Sequence, residues 1–149
     1  MIRTSSIRGT TGFALAKVCK FHRGNVAAVL AEVGLHVGQD MLLAELWEQD
    51  GLRGGELAAR LNVEPPTVTK MIRRLENCGL VERRQNPDDA RSFRVHLTEK
   101  GRALEEPIAY CWQRAEEKTL ASLNPKERQT LHGLLTKIRG DFAPGSTGE

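Results

Sequence analysis

The sequence predicts a mostly α-helical fold with one small β-hairpin. Three observations carry this. Aromatic residues are only 5% of the 149, so leucine, valine and alanine must supply the core, which favours packed helices over a sandwich or barrel. Residues 63–76, VEPPTVTKMIRRLE, place Val68, Met71, Ile72 and Leu75 at the i, i+3, i+4, i+7 spacing of one helical stripe. Soon after, Phe93, Val95 and Leu97 alternate with Arg94 and His96, the period of a half-buried strand.

The length fits one domain spanning 1–149, large enough for a hydrophobic core without staples. The net charge of +3 is modest, but its placement is informative: residues 63–102 carry nine Lys/Arg against six Asp/Glu. Cations and acids alternate, so the expectation is one basic face on a folded body and no polybasic tail. Cys19, Cys78 and Cys111 are odd in number and irregular in spacing, which gives no disulfide framework and suits a reducing cytoplasm. No apolar run is long enough for a signal-peptide core or a membrane span.

Each element has local signals. Residues 10–34 read as a long helix capped by Thr10 or Thr11 and stopped by Gly34. Residues 38–51 form a second helix between glycines, with Met41, Leu42, Leu46 and Trp47 near one face. Residues 54–62 form a short third, with Leu57, Ala58 and Leu61 inward. In the fourth, Pro65 and Pro66 suit a first turn, where amides lack helical partners, and Gly79 is a natural stop. Strands at 79–85 and 92–98 flank the turn residues NPDDA. Thr98 caps one further helix, with Pro107 placed to kink it. Asn124, Pro125 and Glu127 then open the last, whose stripe is Leu131, Leu134, Leu135, Ile138 and Phe142. Residues 1–12 and the APGSTGE tail have the composition of loose termini.

A short helix, a turn and a basic-faced helix make a helix-turn-helix, and the hairpin behind it is a wing. The fourth helix docks by its apolar stripe and turns Thr67, Thr69, Lys70, Arg73 and Arg74 outward. Hydroxyls and cations bond phosphate oxygens, and Lys or Arg reaches guanine edges in a major groove.

The run GELAARLNVEPPTVTKMIRRLENCGLVERRQNPDDARSFRVHLTEKGRAL resembles the MarR family of bacterial winged-helix regulators, through ELAARL, TVTKMIRRLE, GLVERR, the D-x-R of DAR and LTEKG in that order. The resemblance implies a winged helix-turn-helix over 38–102, flanked by dimerisation helices at 10–34 and 103–142. It further implies a homodimer on a pseudo-palindromic double-stranded DNA operator, and a small aromatic or anionic effector or cysteine oxidation as trigger. By position it assigns Thr67, Thr69, Lys70, Arg73 and Arg74 to the recognition helix, Arg91 to the wing tip in a minor groove, and Asp89 to orienting that wing. Glu64 departs from the small capping residue usual before this helix.

Blander readings stand beside these. The basic helix face could be plain solvated surface, and Arg91 could pair with Asp88 or Asp89. Asp89 would repel phosphates unless a cation, Arg73 or Arg91, held it. Cys19 reads as a buried packing thiol rather than a sensor, Cys78 as partly exposed and Cys111 as core. The four histidines lack ligand spacing, so no metal or other cofactor is expected. No nucleotide, hydrolase or metalloprotease motif is present, so no catalytic residue is assigned. Trp47 and Trp112 read as core residues that also border a pocket between wing domain and dimer helices. The function expected is a ligand-responsive dimeric repressor. The alternatives are a winged-helix protein-interaction module, or a redox- or metal-sensing regulator of the same fold.

Overall fold

The computed structural model describes residues 6–140. The APGSTGE tail, the first five residues and Phe142 therefore lie outside the described residues. After a short 3-10 turn at Ile7–Gly9, the elements run α1 (Thr11–Ala31), α2 (Gln39–Glu48), β1 (Leu52–Arg53), α3 (Gly54–Leu61), α4 (Pro65–Asn77), β2 (Val81–Asn86), β3 (Asp89–Leu97), α5 (Glu99–Ala103), α6 (Glu105–Thr119) and α7 (Pro125–Gly140). The strands form one antiparallel sheet in the order β1-β3-β2.

Thr10 caps α1 by accepting the Phe13 amide at 3.1 Å. Asn124 and Glu127 cap α7 reciprocally: the Glu127 amide donates to Asn124 Oδ1 at 2.9 Å, and the Asn124 amide to Glu127 Oε1 at 3.0 Å. α4 starts at Pro65 with Glu64 as a cap whose side chain makes no capping bond. It ends at Gly79 (φ +72), where the Leu80 amide reaches the Leu75 carbonyl at 3.0 Å and the Gly79 amide the Glu76 carbonyl at 2.9 Å. This paired closure turns the chain sharply into β2 and buries Leu80.

Three sequence expectations need correction. The predicted two-stranded hairpin is a three-stranded sheet, because Leu52 and Arg53 pair with Val95 and Arg94. Two residues carry no alternation pattern, so β1 exists only through its partner. The helix expected after Thr98 breaks at Leu104 into α5 and α6. Pro107 lacks the amide that a continuous helix would need, and in α6 it sits in the first turn, where none is required. On α2 the buried apolar side chains are Leu42, Leu43 and Leu46, while Met41 is 45% exposed. At 100° per residue Met41 lies opposite the centre of that buried arc.

The core joins Val26, Val29 and Leu30 of α1 to Ile108, Cys111 and Ala115 of α6, then runs through α2 and α3 to Val68, Ile72 and Leu75 of α4 and the inner sheet face at Val81, Val95 and Leu97. Each fully buried aliphatic side chain is worth roughly 2 kcal/mol, so the α4 stripe alone anchors its helix firmly. α1 packs only by its C-terminal half. Leu15, Val18 and Phe21 are exposed at 46%, 51% and 55%, and α7 buries no residue. Cys19 lies on this uncovered half and is exposed, contrary to the packing role expected of it; Cys78 is exposed too, and Cys111 is buried.

Two joints hold the wing. In the first, the Thr98 amide donates to the Leu80 carbonyl at 3.1 Å, the Thr98 hydroxyl to Gly79 at 2.6 Å, and Lys100 Nζ to Cys78 at 3.1 Å. Gly101 sits so close beneath this turn that a Cβ would come 2.1 Å from the Leu80 carbonyl oxygen. In the second, Asp50 accepts the Leu97 amide at 2.8 Å and Arg102 at 3.2 Å, with His96 Nδ1 3.5 Å away. Burial pushes the Asp50 carboxyl up, but the Leu97 amide, Arg102, the Gly51 amide and His96 together hold it below its ordinary value.

Two outcomes follow. Gly101→Ala forces a backbone clash and is expected to cost about 3 kcal/mol in denaturant unfolding. Asp50→Asn is expected to cost about 1–2 kcal/mol at neutral pH. A carboxyl depressed in the folded state stabilises above its unfolded pKa, about 3.9, and loses that contribution as pH falls through the folded value. The gap between wild type and Asp50→Asn should therefore close below about pH 4 in unfolding curves taken across pH.

Candidate nucleic-acid interface

α4 is positioned by its buried stripe, and helical geometry then decides where its polar side chains lie. With Val68, Ile72 and Leu75 inward, 100° per residue puts Lys70, Arg73 and Asn77 on the opposite side. Thr67 and Arg74 flank that face on the Met71 side, and Thr69 flanks it on the other. All five predicted residues of this helix are exposed. The Thr69 hydroxyl donates to the Pro65 carbonyl at 3.0 Å, which leaves its oxygen to accept from outside. The nearest carboxylate along the helix, Glu76, is held by Arg83 of β2 at 2.6 Å. Lys70, Arg73 and Arg74 have no ion-pair partner among the described residues, so the face keeps its charge.

Arg83 was not singled out in the sequence, and its role is to pin. It ties the end of α4 to β2 and stacks over Phe93 of β3 at 5.1 Å. It thereby sets the angle between recognition helix and wing. Strand alternation marked Phe93, but no local pattern could pair Arg83 with a residue seven positions earlier on a different element.

At the wing tip Asp89 accepts the backbone amide of Arg91 at 3.0 Å. Neither the Arg91 nor the Arg73 guanidinium holds it, contrary to the pairing expected. A short acidic side chain bonding an amide two residues on closes a local turn. The Arg91 side chain is left exposed, with no ion pair among the described residues. The tip therefore presents a free guanidinium on a braced turn.

A cavity of about 570 Å³ lies behind α4, between it, α1, α2 and α6. Its apolar wall includes Val26, Met41, Val63, Met71 and Trp112, and its cations are Arg23 and Arg74. The one carboxylate in it, Asp40, is 1% exposed and occupied: it accepts Trp112 Nε1 at 2.9 Å and the Gly38 amide at 2.9 Å. His22 Nδ1 lies 2.8 Å from Thr119 Oγ1, whose own proton goes to the Ala115 carbonyl. Asn25 Nδ2 also donates to Thr119 Oγ1, at 3.1 Å. Thr67 and Arg74 line this cavity as well as flanking the outer face of α4. Trp47 and Trp112 border a second, shallower cleft with Glu48 and Glu105 between α2 and α6, in keeping with the pocket expected beside them. Among the described residues no helix is long and apolar enough to cross a membrane.

Comparison with known proteins agrees with this geometry. Residues 35–93 match the family model described as MarR family. The chain is 30% identical over 130 residues to the HTH-type transcriptional repressor Rv2887 of Mycobacterium tuberculosis, covering 87% of this chain and 94% of that protein. Its fold matches the crystal structure of Rv2887 in complex with DNA, with a TM-score of 0.75 at 28% identity over 87% of this chain and 98% of that one. It also matches BpsR of Bordetella bronchiseptica, whose DNA binding is regulated by 6-hydroxynicotinic acid, with a TM-score of 0.80 at 25% identity over 90% and 96% of the two chains. A docked basic helix, a braced wing and similarity along nearly the whole length lead to one conclusion: the chain belongs to the MarR family of winged-helix transcription regulators.

Proposed function

We propose that this DNA-binding regulator works as a ligand-responsive dimeric repressor, with residues 38–102 on the DNA and residues 10–34 and 103–142 joining the protomers. The observation that carries it is the charged outer face of α4, fixed in direction by a buried stripe and neutralised by no carboxylate among the described residues. In this reading Lys70 and Arg73 meet the major groove directly. Thr67, Thr69 and Arg74 meet the phosphates at its rims. Arg91 enters the adjacent minor groove, held in aim by Asp89. The relative Rv2887, a repressor seen on DNA, supports this assignment.

The cavity suits a small aromatic anion, since its wall is apolar and its cations, Arg23 and Arg74, have no ion-pair partner among the described residues. A ligand that engages Arg74 and Thr67 from behind draws on residues that also flank the DNA face. Its affinity then differs between the free and DNA-bound states, which is the condition for a ligand to shift binding. BpsR, regulated by a hydroxylated aromatic acid, supports that ligand class.

The exposed stripes Leu15, Val18 and Phe21 on α1 and Leu134, Leu135 and Ile138 on α7 supply the two-fold seam. Such a dimer places two α4 helices in major grooves about one helical turn, or roughly 34 Å, apart. Sedimentation at micromolar concentration is expected to give a dimer. Phe21→Glu with Leu135→Glu should give a monomer that still melts cooperatively.

DNA binding should separate the two groups of cations. On a duplex from the gene's own upstream region, Lys70→Ala, Arg73→Ala and Arg74→Ala should each weaken affinity and flatten the salt slope by about one unit per protomer. Arg91→Ala should lose more on A·T-rich flanks than on G·C-rich ones, because narrow grooves concentrate negative potential. Its melting temperature should stay within a degree or so of wild type, a surface change making little difference to stability. Unchanged affinity and slope in all four variants would remove α4 and the wing from the DNA.

A further inference from the structure

The three-stranded sheet carries a second basic surface, distinct from α4. Arg53 of β1 stands opposite Arg94 of β3, and Arg84 of β2 stands opposite the same Arg94. Residues directly opposite in an antiparallel ladder share a face, with Cβ atoms about 4.5–5.5 Å apart. Three arginines therefore form one row across the full width of the sheet, spanning about 10 Å over two inter-strand spacings. All three are exposed, whereas their strand neighbours Leu52 and Val95 are buried on the opposite face.

Like charges directly opposite one another are unfavourable in a sheet, and the fold does little to offset this row. Arg84 is paired with Glu82 at 2.6 Å. Arg94 donates only to the neutral Gly51 carbonyl, at 2.9 Å. The Arg53 side chain has no hydrogen-bond or ion-pair partner among the described residues. Of the two carboxylates nearest Arg53 in sequence, Asp50 is already engaged by Leu97, Arg102 and His96, and Glu56 accepts the Arg53 backbone amide at 3.3 Å. No core packing needs these guanidiniums. They also continue towards the wing tip, since Arg53 lines one shallow hollow together with Arg91 and Ser92.

We propose that the row of Arg53, Arg94 and Arg84 is a sequence-independent phosphate track, which takes the DNA backbone bordering the segment that α4 reads. This rests on the DNA-binding reading and extends it to a surface outside the helix-turn-helix. The planar guanidinium fork binds phosphate oxygens in two-point fashion. One strand of DNA offers a phosphate about every 3.4 Å along the axis, so a row about 10 Å wide faces roughly three. A polyanion relieves the repulsion along the whole row at once, which a single carboxylate cannot do. Continuity with Arg91 favours DNA over an acidic protein surface as that polyanion.

The test is binding to a duplex of about 40 base pairs of arbitrary sequence, titrated between about 50 and 200 mM salt. Arg53→Ala/Arg94→Ala should flatten the slope of log affinity against log salt by about two units per protomer, and Arg53→Ala alone by about one. Arg53→Lys/Arg94→Lys should keep the wild-type slope to within about half a unit, because the charge remains. Arg53→Ala should melt no lower than wild type at low salt, since it relieves repulsion and breaks no bond. A wild-type slope in both alanine variants overturns the proposal, as does a lysine variant that loses as much as the alanine one. Lys70→Ala/Arg73→Ala serves as comparator. If it alone flattens the slope, the row fails and α4 stands; if only the row variants do, the row stands and the α4 reading fails. A wild type whose binding is independent of salt sinks both.

Discussion

The C-terminal end of α4 is gripped by the segment that follows the wing, and most of the molecule's function depends on that grip. The carbonyls of Cys78, Gly79 and Leu80 would be orphans where the helix stops. Lys100 and Thr98 take all three, the latter by both hydroxyl and amide. The C-terminal end of α4 is thus fixed by its own turn and held from outside at the same place. Gly101 allows the close approach, and its carbonyl accepts Trp47 Nε1 at 3.0 Å, which extends the joint to α2. Recognition helix, wing base and α2 thus meet at one point, and the LTEKG stretch has a physical reason for its threonine, lysine and glycine.

The wing is a rigid extension of that joint. Asp50 and β1 hold β3 from one side, and the Glu76–Arg83 pair with the Phe93 ring holds β2 and β3 from the other. Only the tip is left to its own turn, where Asp89 replaces a missing tertiary contact with a local hydrogen bond. The sheet's inner face is consumed by the core, so its outer face is free for charge. This is why arginines accumulate there without harm to packing.

The cavity and the DNA face are the two sides of one helix. Thr67 and Arg74 border both, which is the structural basis of the proposed coupling between ligand and DNA. Among the described residues nothing covers the apolar halves of α1 and α7, and the proposed two-fold partner accounts for that surface.

Local chemistry determined a great deal by itself. The caps at Thr10, Thr98 and Asn124, the Pro65 start and Gly79 stop of α4, the alternation of Val95 and Leu97, and the outward side of the recognition helix all depend on residues within a turn or two, so they can be read in order along the chain. Membership of the family was legible too, since its motifs sit at characteristic spacing. Tertiary structure decided the rest. β1 exists only because β3 lies beside it, while Pro107 marked a disturbance in the helix after Thr98 without fixing whether the chain would kink or break. Arg83 turned out to be a pin and Asp89 a backbone brace because partners seven residues away or on the main chain leave no periodic trace. Cys19 was expected inside and lies outside, since helical spacing identifies an apolar stripe but not which half of it finds a neighbour. The arginine row belongs to the same class: three strands must be brought into register before residues 53, 84 and 94 become one surface, and sequence separation hides what hydrogen-bonded pairing creates.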